Sequence, residues 1–261
     1  MFPHHEATIQ RTIDYFRVQP NIRALLLAGS IAHGFAEESS DVDVLMIVSE
    51  EEHRQRTTAG DLAFFNAELS TYPGGYVDGK FLSQSFLDQV EERGSEPARF
   101  AFADARILFG DIAGLGEQLQ RIAQYPSSEK IARISRFKAQ LEAWHWYASE
   151  ADKKRNDYLM SLAINKLLLF SGRMILAHNE LLYPYHKWFF AMLERAEHKP
   201  DRLIETMRAL SRRPSYAGAT ELYTLISEFR TWESDGVRWP NHFMRDNELT
   251  WLHGSAQIDD L

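Results

Sequence analysis

The 261-residue chain contains no cysteine, which excludes a disulfide framework, a thiolate nucleophile and a cysteine-ligated zinc site. No apolar run approaches the ~20 residues of a membrane span. The start, Met1-Phe2-Pro3-His4-His5-Glu6, lacks the basic residues and apolar stretch of a secretory signal. A cytoplasmic protein with no membrane partner is therefore expected. Basic charge is scarce as well: 29 Lys and Arg stand against 37 Asp and Glu, for a net charge of -8. A protein that grips a long nucleic acid carries a basic stripe, because phosphate neutralisation supplies most of the affinity. Here the basic clusters are only Lys153-Lys154-Arg155 and Arg212-Arg213, as found at solvated helix ends, so no long nucleic acid is expected as a partner. The acidic balance suits a cationic or neutral small molecule instead. No internal repeat and no His-Glu-x-x-His zinc helix is visible, and His145, His178 and His186 read as structural or surface residues.

Against these absences stands one dense stretch. Residues 22–28 and 42–48 are short apolar runs, rich in branched side chains and bounded by turn residues, and so read as neighbouring buried strands. Side chains alternate along a strand, which puts Asp41 and Asp43 on one face and Val42 and Val44 on the other. Two carboxylates so close repel each other, and a divalent cation that neutralises both explains the arrangement best. Between the runs, Gly29 allows a tight turn, and the Ser30 hydroxyl with nearby backbone N–H groups can hold a phosphate. Carboxylates, magnesium and a phosphate cradle together make a nucleoside-triphosphate site.

Gly29-Ser30, nine intervening residues, then Ser40-Asp41-Val42-Asp43 and an apolar strand resembles the signature of the nucleotidyltransferase superfamily. That superfamily is typified by DNA polymerase beta and by the aminoglycoside and lincosamide antibiotic nucleotidyltransferases. Gly34 and Ser40 also stand where small relatives often have them, and the resemblance is specific over residues 20–110. It implies an α+β fold, with a small mixed-sheet domain followed by an all-α helical bundle. The implied activity is transfer of an NMP, here AMP from ATP, to a hydroxyl of a small molecule such as an antibiotic, with two Mg2+ ions and release of pyrophosphate. Asp41 and Asp43 are then metal ligands and catalytic residues, with Gly29, Ser30 and Ser40 at the nucleotide.

The family pattern also calls for a third carboxylate on a later strand. Asp78 is chosen, because Tyr76, Asp78 and Lys80 fall on one face of a strand near 75–82, although Gly79 weakens that strand. Glu68 and Asp104 are its rivals. Asp78 serves either as a metal ligand or as general base. Relatives often carry Lys-Trp after a tyrosine or proline in the bundle, as in Tyr183-Pro184-Tyr185-His186-Lys187-Trp188. Lys187 is accordingly either a triphosphate ligand or an exposed residue of a helix start. Two other functions stay open. One is a protein-adenylylating or toxin-antitoxin module in which the Arg173/His178 pair would matter, although the apolar Met174-Ile175-Leu176-Ala177 between them points to a core helix; the other is a non-catalytic nucleotide-binding scaffold. A homodimer is also left open.

With 44% hydrophobic residues, the chain can build two buried cores. Mixed helix and strand alternation before residue 112, glycines at 110, 114 and 116, and helical periodicity afterwards divide it into domains 1–112 and 113–261. In the first domain the pattern predicts helices over 7–17, 61–70 and 85–93 and a last strand within 99–109. The second predicts about five helices, one opening after Pro126-Ser127-Ser128-Glu129. The tail from about Asp246 is polar enough to be loosely ordered.

Overall fold

A computed structural model describes residues 1–252 and Gly254. The chain forms two compact units, Met1–Gln124 and a second beginning at Tyr125. In the first, the order is α1 (Pro3–Arg17), β1 (Ile22–Leu27), α2 (Gly29–Ala32), β2 (Val42–Val48), α3 (Glu50–Ala59), β3 (Ala63–Asn66), β4 (Val77–Ser83), α4 (Gln84–Arg93), α5 (Glu96–Phe100), β5 (Arg106–Gly110) and α6 (Leu115–Ile122). Five strands make one sheet in the order β3-β4-β2-β1-β5. Only β2 and β4 run parallel; the other three neighbouring pairs are antiparallel.

Strand alternation splits the apolar residues between two faces. Leu25, Leu27, Val42, Val44, Met46, Val77 and Phe81 pack with Ile9 and Phe16 of α1. Ala24, Leu26, Ile47 and Leu82 face the other way, onto Leu87 and Val90 of α4 and Leu115, Leu119 and Ile122 of α6. Each Val, Leu, Ile, Met or Phe side chain taken fully from water contributes roughly 1.5–3 kcal/mol before entropic costs, so the sheet is anchored on both sides. Because α6 supplies one wall of this core, the first unit closes after Gln124. The glycines at 110, 114 and 116 had placed the division near 112.

Two local expectations fail for identifiable reasons. Residues 61–70 do not form a helix but hold β3, Ala63–Asn66. The helix lies earlier, in α3, which buries no residue and therefore shows no apolar periodicity. Its ends are set by polar groups: Ser49 accepts from the Glu52 N–H, and Gly60 closes it in the left-handed conformation at φ 73°. Within 99–109 only Arg106–Gly110 is strand, because Ser95 caps α5 and Pro97 occupies its first turn. Gly79 does lie inside β4. A Cβ there would fall 2.1 Å from the Val44 carbonyl oxygen, so its missing side chain lets β2 and β4 pair closely.

The second unit contains α7 (Lys130–Lys154), α8 (Asp157–His178), α9 (Phe189–Arg195), α10 (Leu203–Arg212), α11 (Tyr216–Phe229) and α12 (Trp239–Phe243). Arg155 turns the chain at φ 52° between α7 and α8, and Asn156 caps α8 through the Leu159 N–H. Ala163, Ile164, Leu167, Met174 and Ile175 of α8 are buried. Gly172 lets Phe189 of α9 approach closely, since a Cβ there would meet its ring at 2.1 Å. By length and composition α8 is apolar enough to cross a membrane, with mean hydropathy 1.5 over its best window, contrary to the expectation that no apolar run approaches such a span. That window is half buried within the protein, and the helix carries Lys166 and Arg173. Near the expected loose tail, Asp246 is held by Arg136 at 2.7 Å. Residues 253 and 255–261 of that tail lie outside the described residues.

Candidate active site

At one end of the sheet the chain leaves β1 and turns at once into α2. Gly29 makes that turn at φ 64°, and a Cβ on it would lie 1.7 Å from Oδ2 of Asp43. Glycine is thus required twice, for the left-handed backbone and for the space the carboxylate occupies. The Ala28 N–H donates to the Asp43 carbonyl at 2.9 Å, fixing the turn to the start of β2. Ser30 follows, 3% exposed, and its hydroxyl meets no hydrogen-bond partner among the described residues. A buried, unsatisfied hydroxyl costs about 1–3 kcal/mol, which a ligand oxygen at this position would recover.

The carboxylates arrive from two adjacent parallel strands. Asp43 and Asp78 are register partners, and the Val42 N–H donates to the Tyr76 carbonyl at 3.1 Å, which aligns the residues preceding each strand. Asp41, Asp43 and Asp78 each offer a ligand oxygen within 4.8 Å of the others, and each is partly buried. Among the described residues this is the one group of three or more His, Cys, Asp or Glu side chains so arranged. Hard oxygen donors at this separation suit a divalent cation such as Mg2+, and the unpartnered Ser30 hydroxyl beside them suits its phosphate ligand.

Two tyrosines border the acids. The negative charge of Asp41 pushes the Tyr76 phenol pKa up, the hydroxyl's contact with that carboxylate adds to it, and Asp78 and Asp43 act in the same direction. Burial raises the Tyr72 pKa, with the Asp41 charge next in importance. The Tyr72 hydroxyl donates to the Ser40 carbonyl, while the Ser40 hydroxyl accepts from the Glu37 N–H at 2.9 Å. Ser40 therefore shapes the approach to Asp41.

The rival third acids lie outside this group. Asp104 binds Nδ1 of buried His33 at 2.8 Å, and that ring stacks on Phe100 at 4.4 Å. This tie joins the end of α2 to the turn before β5; the two residues are 71 positions apart, so no local pattern announces it. Glu68 is exposed after β3, its N–H held by Asn66 Oδ1 at 2.8 Å. Lys187 belongs to the second unit, where it is exposed in the turn before α9 with its ammonium 5.2 Å from the Trp188 ring centroid. Arg173 and His178 each contact other residues. The Arg173 guanidinium lies 4.4 Å from the rings of both Phe137 and Tyr183, and His178 contacts Arg230 at 2.6 Å.

None of the curated proteins compared matches the chain significantly. Among solved structures it is similar to a nucleotidyltransferase-like protein from Exiguobacterium sibiricum, at 11% identity and a TM-score of 0.45, over 95% of this chain and 86% of the other. It is also similar to a spectinomycin adenyltransferase from Enterococcus faecialis bound to ATP and spectinomycin, at 15% identity and a TM-score of 0.37, over 85% and 98% of the two chains. At such scores neither likeness bears on substrate. The family model for the nucleotidyltransferase domain matches residues 9–166, a span that contains the turn at Gly29 and all three carboxylates. On that match, covering more than half of its length, the chain belongs to the nucleotidyltransferase domain family and is a nucleotidyltransferase.

Proposed function

We propose that the enzyme moves AMP from ATP to a hydroxyl of a small molecule, with Mg2+ and with release of pyrophosphate. The observation that carries this reading is the convergence of Asp41, Asp43 and Asp78 within 4.8 Å, beside the buried, unpartnered Ser30 hydroxyl. Asp41 and Asp43 would hold the metal, with Asp78 as a further ligand or as base. When bound, the metal supplies Lewis-acid polarisation of the phosphates and a lowered pKa for the acceptor hydroxyl.

The remaining work falls to the chain's own groups. The Ser30 hydroxyl donates to a phosphate oxygen, and the turn at Gly29 presents backbone N–H groups to the same anion. In the role of base, Asp78 accepts the acceptor's proton, which requires hydrogen-bond reach to that hydroxyl. The Asp43–Asp78 register keeps the proton acceptor a fixed distance from the phosphate-binding turn, so geometry rather than flexibility sets the alignment. The net charge of -8 supports a small acceptor over a long polyanion.

Thermal unfolding with ATP, GTP, CTP and UTP, each with and without Mg2+, tests the reading. A nucleotide bound only by the folded state at 100 times its Kd adds about 2.7 kcal/mol. The expected result is a magnesium-dependent rise largest for ATP. No rise with any nucleotide contradicts the proposal.

A further inference from the structure

The sheet end that carries the acids also carries an aromatic pair, exposed Phe65 and half-buried Tyr76. On β3 and β4, Phe65 stands opposite Asp78; on β2 and β4, Asp43 stands opposite Asp78. Residues paired across strands share a face, so one row reads Asp43, Asp78, Phe65. Phe65 is 68% exposed. Its neighbour Phe64 points through the sheet instead, with ring centroids 4.9 Å from Phe16 and 6.5 Å from Phe81. Tyr76, two residues before Asp78, is on the Phe65 face, and the two rings lie 5.1 Å apart at 37°. A bare phenylalanine on an edge strand invites unwanted association and adds little to the fold, so its placement beside the acids calls for another explanation.

The opposite flank of the row belongs to the donor. Asp43 abuts Gly29, and Ser30 follows, so the phosphate-holding turn lies on the β1 side. From turn to edge the sequence of groups is Gly29, Asp43, Asp78, Phe65. A nucleotide whose phosphates occupy the turn leaves the β3 side of Asp78 for the second substrate.

Building on the transfer reading above, we infer that Phe65 and Tyr76 form the acceptor wall, a platform on which the apolar face of a ring-bearing hydroxyl compound lies flat with one hydroxyl turned toward Asp78. In that pose the hydroxyl proton passes to Asp78 as its oxygen bonds to the α-phosphorus. The bond from the α-phosphorus to the bridging oxygen breaks at the same centre, and that oxygen leaves with pyrophosphate. Phe65 and Tyr76 touch neither the phosphorus nor the proton; they select the acceptor by shape.

The test uses the full chain with two ring probes, methyl glucoside and myo-inositol, and two open-chain probes, glycerol and sorbitol. Saturation-transfer NMR reads binding and pyrophosphate release reads turnover, in the wild type, Phe65→Ala and Phe65→Trp. Expected are saturation of the ring probes in the wild type and preference for them over the open-chain probes. Phe65→Ala should raise the ring-probe KM about 10-fold, an effect that falls on KM more than on kcat, and Phe65→Trp should restore it. Absence of saturation in the wild type, equal use of ring and open-chain probes, or an unchanged KM in Phe65→Ala overturns the platform. A Phe65→Ala variant that loses the nucleotide-induced thermal rise also overturns it, because the rings then stack on the donor base. If wild type shows that thermal rise while Phe65→Ala keeps its KM, the platform fails alone. If wild type shows no rise, the transfer reading fails and the platform with it.

Discussion

Replacing Gly29 by alanine separates the cost of a backbone conformation from the cost of displacing a carboxylate. Gly29 and Gly34 both have positive φ, 64° and 75°, so alanine at either should cost the fold about 1–2 kcal/mol. For a unit of this size that is about 3–10 °C in Tm. The two sites differ in what the new methyl meets. At Gly34 nothing lies within 4 Å, whereas at Gly29 the Cβ would fall 1.7 Å from Asp43 Oδ2. An ordinary contact needs about 3.5 Å or more, so the Asp43 carboxylate must retreat by about 2 Å. A misplacement of about 1 Å at a reacting centre can cost 100-fold in rate. Gly29→Ala should therefore lose at least ~100-fold in pyrophosphate release, while Gly34→Ala keeps a rate near that of wild type at a similar Tm. Differential scanning calorimetry and a coupled pyrophosphate assay on the two variants check this. Equal rates for both would refute the assignment of Asp43 to the reacting centre.

Three further outcomes are expected. Gly79→Ala puts a methyl 2.1 Å from the Val44 carbonyl; the strained β2–β4 pairing should cost about 1–3 kcal/mol and transfer should fall with it, read by calorimetry and turnover together. Arg173→Ala removes a guanidinium held between two rings and should cost about 1–2 kcal/mol while leaving nucleotidyl transfer nearly unchanged. Loss of a ribonuclease or toxic phenotype in that variant would favour the toxin-type reading. Burial lowers the pKa of His5, His145 and His178, with the Arg230 charge adding to the effect at His178. The unfolded chain then binds more protons than the folded one as pH falls below the ordinary histidine value of 6.5, so stability present above that value is lost toward lower pH. Tm should drop between pH 7.5 and 5.5, and His178→Gln should flatten part of the drop.

The sequence was most legible where the chemistry is local. Gly29, Ser30, Asp41 and Asp43 lie within one turn-and-strand unit, so residue type and spacing nearly specify their arrangement. Asp78 could be chosen from strand alternation, but its position opposite Asp43 depends on pairing between strands 35 residues apart, which no local pattern encodes. Helix α3 leaves no apolar period in the sequence because it buries nothing. Taking 61–70 as a helix in its place hid β3 and with it the exposed Phe65 beside the acids. Similarly, glycines around α6 resembled a linker, whereas Leu115, Leu119 and Ile122 close a core. The His33–Asp104 tie removed one candidate acid through a contact visible only in three dimensions.

The most direct test of the account compares wild type with Asp43→Asn, each given an α-labelled nucleoside triphosphate, Mg2+ and a panel of hydroxyl acceptors. Label transferred to an acceptor and pyrophosphate released are measured together. Wild type should yield the two in equal amounts, and Asp43→Asn, with Tm unchanged or higher, should lose at least ~100-fold in both, about 2.7 kcal/mol or more of transition-state stabilisation. Equal activity in the two proteins, or label transfer without pyrophosphate, would contradict a nucleotidyl transfer centred on Asp41, Asp43 and Asp78.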